Sequence, residues 1–159
     1  MRKSPGFTLL ELMIAIAMLT IIASIATPSF LKQRRETLMR DAVSMIRGDL
    51  GMSRSRALRE NASVAVLLRA DGYSIFIDNG SGGGVPENWV RDGDENQLCN
   101  RSLPSGLTID LSQVTFDNKR TRFNGRGYVG NCGGMVVRDW EGKSVTIDMN
   151  NRFGRINIR

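Results

Sequence analysis

The sequence contains no histidine, and only two cysteines and four prolines among 159 residues. The missing imidazole removes the commonest general base, the Ser–His and Cys–His nucleophile pairs, and the commonest zinc ligand. Two cysteines are too few for a zinc site built from thiolates alone. Catalysis would fall to Ser, Asp and Glu, and no constellation of these can be assembled, so the composition points away from an enzyme. Aromatic residues are sparse, at 6%. Apolar residues are concentrated in positions 7–31, which leaves the remainder polar, glycine-rich and short of core material. A domain of that kind needs staples or partners. Acidic charge is the minority: 22 Lys and Arg against 16 Asp and Glu give a net charge of +6. A basic balance suits nucleic acid, anionic lipid or plain solubility, and does not choose among them.

What the chain does have is one long apolar run. A short basic stretch, Met1 to Gly6, precedes it, and positions 7–31 then hold twenty-five residues with a single charge, Glu11. A helix of about 20 apolar residues crosses a bilayer. A cleaved secretory signal has an apolar region of only about 7–15 residues. The run therefore predicts a membrane-spanning helix. Glu11 is the anomaly, because a carboxylate in hydrocarbon costs about 2.5–3.5 kcal/mol on insertion scales and needs a partner or a role. No Lys or Arg lies within a turn or two of it. Cleavage after Gly6 would place a new α-amino group on Phe7, one turn away, and a helix N-terminus also favours negative charge. Arg2 and Lys3 argue for a cytoplasmic N-terminus, although Lys32, Arg34 and Arg35 beyond the span blur the bias. The cysteines favour an exported C-terminal domain.

Beyond Phe30 the pattern becomes amphipathic. Met39, Ala42, Val43, Ile46, Leu50, Ala57 and Leu58 recur near helical spacing, with Arg40, Asp41, Arg47, Asp49, Arg54 and Arg56 on other faces. This predicts a helix to about Glu60, with Pro28 as its bend. Strand patterns follow at 63–69 and 73–78, joined by Ala70-Asp71-Gly72, and at 107–111, 114–116, 122–123, 135–138, 144–149 and 155–158. One helix followed by many strands predicts an α+β fold, a long helix packed against antiparallel sheet. Cys99 and Cys132 are expected to bridge in an exported compartment. Closing the loop of about 33 residues between them would contribute roughly 3–4 kcal/mol. The alternative is two free thiols.

Gly6-Phe7-Thr8-Leu9-Leu10-Glu11-Leu12-Met13 resembles the type IV prepilin signature. The resemblance implies cleavage after Gly6 by prepilin peptidase, N-methylation of Phe7, and an assembly role for Glu11; Pro28 falls where pilins commonly bend. It also implies a domain order of leader 1–6, transmembrane and filament-core helix 7–31, amphipathic continuation 32–60 and exported β-rich domain 61–159. Farther on, Gln113 to Phe116, Phe123-Asn124-Gly125-Arg126-Gly127 and Asn151-Arg152-Phe153-Gly154-Arg155-Ile156 resemble the GspH/FimT group of minor pilins and pseudopilins. Membership implies a pilin fold and a non-enzymatic subunit without cofactor. Its partners would be other pilins or pseudopilins, and its place the inner membrane with a periplasmic C-terminal domain before entry into a filament or its tip complex. A type II secretion pseudopilin is the sister expectation. A third is DNA uptake, since some FimT-type minor pilins bind DNA through a terminal Gly-Arg-x-Arg. Here Gly154-Arg155 matches but Asn157 breaks the pattern. Arg155 and Arg159 would share a strand face, Arg126 and Arg152 are the further candidates for DNA contact, and a solvated face is favoured over DNA.

Two other stretches have chemical overtones. The glycines at 80–84 lack the following Lys and helix start of a phosphate loop and are expected to connect. Asp92, Asp94 and Asn96 alternate as calcium ligands do. The bend glycine and terminal Glu of such a loop are replaced by Gln97 and Leu103, so a solvated acidic loop is favoured over a metal site.

Overall fold

The computed structural model describes residues 8–149 and 152–159, and the chain divides between Leu38 and Met39 into two units. A single α-helix, α1, runs through Leu9–Glu60. Its start is set by Thr8, whose hydroxyl accepts the Glu11 N–H at 3.2 Å. Thr8 is thus the N-cap and Glu11 the third helical residue, the Thr-x-x-Glu spacing of a capping box. Its end is set by Asn61, which takes a left-handed φ of 47° while the Ala62 N–H closes on the Ala57 carbonyl at 3.2 Å. That is a Schellman closure with asparagine in the usual glycine position. Pro28 lies inside α1 without interrupting it.

In the first unit the large apolar side chains of the helix, from Leu9 through Leu31, are all exposed. In the second unit α1 buries Met39, Ala42, Val43, Ile46, Leu50 and Ala57, six of the seven positions that the spacing selects. Leu58, the seventh, is 49% exposed. Asp49, which the sequence pattern assigns to another face, is buried with the apolar stripe, as is Ser53.

Among the described residues, eight strands form two antiparallel sheets. The first has the order β3-β2-β1-β5: β1 is Val64–Arg69, β2 Gly72–Ile77, β3 Gln97–Ser102 and β5 Arg120–Phe123. The second has the order β4-β6-β7-β8, with β4 Leu107–Ile109, β6 Gly133–Asp139, β7 Ser144–Met149 and β8 Asn157–Ile158. Val64, Val66 and Leu68 alternate along β1, facing Ile77, Ile75 and Tyr73 across the pair. These join the helical stripe and Ile109, Met135, Val137, Ile147 and Met149 of the second sheet in one buried cluster. The core of the second unit is therefore built from one helix face and one face of each sheet.

Three expected strands shorten or fail, and the one at 107–111 ends at Ile109. Residues 114–116 do not form a strand; instead the Thr115 N–H donates to the Gly134 carbonyl at 3.0 Å and its hydroxyl accepts the Gly134 N–H at 2.7 Å. The expected strand at 155–158 shortens to Asn157–Ile158. In addition β3, Gln-Leu-Cys-Asn-Arg-Ser, has no alternating apolar pattern and is mostly exposed. It is an edge strand, held by backbone pairing to β2 across a bulge at Ile75/Phe76.

Candidate assembly site

The exposed half of α1 is chemically simple. Three of its hydroxyls bond to the helix itself: Thr20 donates to the Ile16 carbonyl at 2.5 Å, Ser24 to Ile21 at 2.7 Å and Thr27 to Ala23 at 2.7 Å. Such back-bonding hides the polar hydrogens and leaves an apolar cylinder. Among the described residues, no basic side chain meets the carboxylate of Glu11. Gly6 and Phe7, the expected cleavage and methylation residues, lie outside the described residues. The segment is long and apolar enough to cross a membrane. A cylinder greasy on all sides is a buried or membrane helix by its composition.

The expected Cys99–Cys132 bridge is not formed. Both thiols are free, Cys99 half-buried and Cys132 exposed. Sheet order explains why. Cys99 on β3 stands opposite Ile75 on β2, Ile75 opposite Val66 on β1, and Val66 opposite Thr121 on β5. The Thr121 hydroxyl bonds to the carbonyl of Asn131, the neighbour of Cys132. At least three strand spacings of about 4.8 Å separate the cysteines, whereas a disulfide requires Cα atoms within about 7 Å.

Cys99 belongs instead to a buried polar node that the sequence pattern does not reveal. Asp49 Oδ2 accepts from the Tyr73 hydroxyl at 2.7 Å and from Arg101 Nε at 3.0 Å, with Cys99 Sγ at 3.8 Å. Burial raises the Tyr73 hydroxyl pKa, and the Asp49 hydrogen bond raises it further. Burial, then the Asp49 charge, pushes the Cys99 thiol up to about 11. A protonated tyrosine and thiol around one carboxylate form a structural lock between α1 and the first sheet. The only sequence signal is an acid in register with a buried stripe.

The terminal strand that would carry the arginines considered for DNA is only Asn157–Ile158. Arg155 precedes the two residues of β8. Arg159 pairs with Asp148 at 3.8 Å, and Arg126 and Arg152 are exposed. The Gly154 preceding Arg155 has a packing role: at φ +66° it is buried against the Phe123 ring, where an added Cβ would come within 3.1 Å of Phe123. Gly127, at φ +73°, packs in the same way on Leu58.

In the acidic loop the Asp92 carboxylate is hydrogen-bonded, while Asp94 and Asn96 are exposed. Asp92 Oδ1 accepts the Val85 N–H at 3.2 Å and Oδ2 the Asn88 amide at 2.7 Å. Asp94 packs against Gly82, and Asn96 contributes its carbonyl to the Ile77 N–H. Among the described residues no three acidic, histidine or cysteine side chains converge as a metal set would.

An all-exposed apolar helix leading into a helix-on-sheet domain defines a pilin-type subunit. The model of the prokaryotic N-terminal methylation motif matches residues 1–27, and that of the type II transport protein GspH matches residues 42–157. The chain belongs to the GspH family, whose members are structural subunits of pilus and type II secretion filaments. Its fold is similar to the crystal structure of the type IV minor pilin FimU of Pseudomonas aeruginosa (strain PAO1). The TM-score is 0.57 at 17% identity, over 81% of this chain and 92% of that one. No curated protein matches the chain.

Proposed function

We propose that the chain is a minor pilin of a type IV pilus, acting in a tip or initiation complex. In this reading prepilin peptidase cuts after Gly6, Phe7 is N-methylated, and the mature subunit waits in the inner membrane with its β-rich domain in the periplasm. The helix of residues 7–31 then leaves lipid for the filament core. Pro28 supplies the bend between that segment and the amphipathic continuation. The observation that carries the reading is Glu11: a carboxylate in the first turn of an otherwise apolar segment in which the Thr20, Ser24 and Thr27 hydroxyls bond back to the helix. The Phe7 amine of the same or a neighbouring subunit is the cation that would meet it, fixing axial register and penalising any misplaced subunit with an unpaired charge. Alanine at position 11 should leave membrane insertion intact and abolish recovery in sheared filaments. Wild-type recovery of that variant would refute the pairing.

A type II secretion pseudopilin is the second reading, supported by the GspH match over residues 42–157. Complementation in a strain carrying only one of the two machines separates them. DNA uptake is not part of the proposal, because Arg159 is engaged by Asp148 and Arg155 lies outside the strand that would align the two. The absence of histidine supports reading the chain as a non-enzymatic subunit.

A further inference from the structure

The turn Asn124-Gly125-Arg126-Gly127-Tyr128 is fastened from within. The Asn124 side-chain oxygen accepts the N–H groups of Arg126 at 3.0 Å and Tyr128 at 2.9 Å. The Asn124 N–H donates to the Tyr128 carbonyl at 2.9 Å, and the Gly127 N–H to the Asn124 carbonyl at 2.8 Å. The turn is fastened from outside as well. Gly125 lies against Asn61, where α1 ends, and Gly127 against Leu58. On the other side the Val129 N–H donates to the Arg152 carbonyl at 2.9 Å, and the Tyr128 ring meets the Phe153 ring edge-on with centroids 5.7 Å apart. The end of α1, this turn and the segment at 152–154 therefore form one fixed surface.

Its chemistry is one-sided. Leu58 is 49% exposed, Tyr128 40% and Phe153 60%. Arg126, Arg152 and Arg155, which adjoin them in the chain, are exposed too. In the same unit Arg101, Arg122, Arg138 and Arg159 are each paired with a carboxylate. Arg126, Arg152 and Arg155 meet none among the described residues. The acid closest in the chain to Leu58, Glu60, is already bonded to Arg56 at 3.3 Å.

Aromatic and arginine side chains are the ones that concentrate at the energetic centres of protein interfaces. A backbone ordered in advance reduces what docking costs in entropy. The charge then selects the partner. A two-fold contact between copies would set these arginines against their own counterparts, and the net charge of +6 adds to that repulsion. A surface bearing Asp and Glu instead gains charge-assisted hydrogen bonds to the guanidinium groups. Single-stranded nucleic acid stacks its bases on open rings, whereas here the two rings meet each other at 73°.

We infer that this surface docks an acidic protein partner, a different chain that presents Asp and Glu side chains around an apolar contact. The inference does not depend on which filament the subunit enters.

The test places the photoreactive residue p-benzoylphenylalanine at position 128 of the full chain, in the cells that make it. Position 108 serves as the control, since Thr108 is exposed on β4. The expected result is a light-dependent adduct with another protein from position 128 and none from position 108, mapping to a peptide that carries Asp or Glu. Arg126→Glu combined with Arg152→Glu should lower the adduct yield about tenfold or more, as expected for lost charge-assisted contacts. Lysine in place of the mapped acids should restore it. If the double variant does not accumulate in membranes, Arg126→Glu alone decides. Absence of an adduct at 128, or equal adducts at 128 and 108, overturns the assignment. So does an adduct whose mass shows a second copy of the chain, a lipid or a nucleic acid, a mapped contact without acids, or a yield that the charge reversals leave unchanged or that the lysines fail to restore.

Discussion

Asp49 shows how much a single side chain can carry when it is buried with its partners. Its Oδ2 serves the Tyr73 hydroxyl and the Arg101 guanidinium together, so truncation leaves a buried hydroxyl without an acceptor. Asp49→Ala should lower unfolding stability by about 1–3 kcal/mol, read from urea titration of the detergent-solubilised chain; an unchanged midpoint would mean that the node is incidental. The same node controls cysteine chemistry. With the Cys99 thiol pushed up to about 11, only about a thousandth of it is thiolate at pH 8, and thiolate is the reactive form. Iodoacetamide at pH 8 should therefore modify exposed Cys132 and spare Cys99, whose labelling should rise only as the pH approaches its own pKa. Peptide mapping checks this, and equal labelling at pH 8, or a Cys99–Cys132 cross-link, would contradict the geometry. Thr8 is a quieter case: the Thr-x-x-Glu spacing was readable as a helix start, but beside the membrane argument for Glu11 the cap is easily overlooked. Both roles are compatible, since a first-turn carboxylate favours the helix N-terminus and still keeps its oxygens for a cation.

At the scale of elements, the helical stripe from Met39 to Ala57 was legible because apolar periodicity reports directly on the buried face. Ile46 sits at its centre, 1% exposed. Ile46→Ala should cost about 2–5 kcal/mol through lost burial and the cavity left behind, measured by thermal unfolding; a loss below the Asp49→Ala value would misplace the core. The hairpin of β1 and β2 was equally clear from its alternation and turn. The edge strand β3 was not, because backbone pairing alone holds a polar edge and leaves no side-chain signature. The cysteine pairing failed for a related reason: spacing in sequence does not report the number of strands between two residues. The loop between β2 and β3 is held by buried acids, with Glu95 accepting the N–H groups of Gly80 and Asp92 and Asp78 those of Asn88 and Trp89. Burial raises the Asp78 carboxyl above its ordinary 3.8, partly offset by the Trp89 N–H. The native state thus binds this proton more tightly than the unfolded chain, and the contribution of Asp78 to stability falls as pH rises through the interval just above 3.8. Asp78→Ala should accelerate hydrogen exchange at the Asn88 and Trp89 amides while leaving the amides of β6 protected. Unaltered exchange in the loop would remove the staple from the account.

For the whole molecule, the two units divide the work by their chemistry. The first unit carries the exposed apolar stretch from Leu9 to Leu31, while the second, from Met39 on, has its own core and two sheets. The first was evident from composition alone, because twenty-five residues with one charge admit few fates. The surface around Tyr128 was not, since it is assembled from a helix end and two turns far apart in the chain and depends on backbone conformations that sequence periodicity does not encode. The central claim concerns what becomes of Glu11, and the measurement closest to it is N-terminal sequencing with intact mass on protein extracted from membranes. The account expects a chain that begins at Phe7 and carries one added methyl group on its amine. Mature protein that still begins at Met1 would leave the carboxylate without its nearby cation and would contradict the filament assignment.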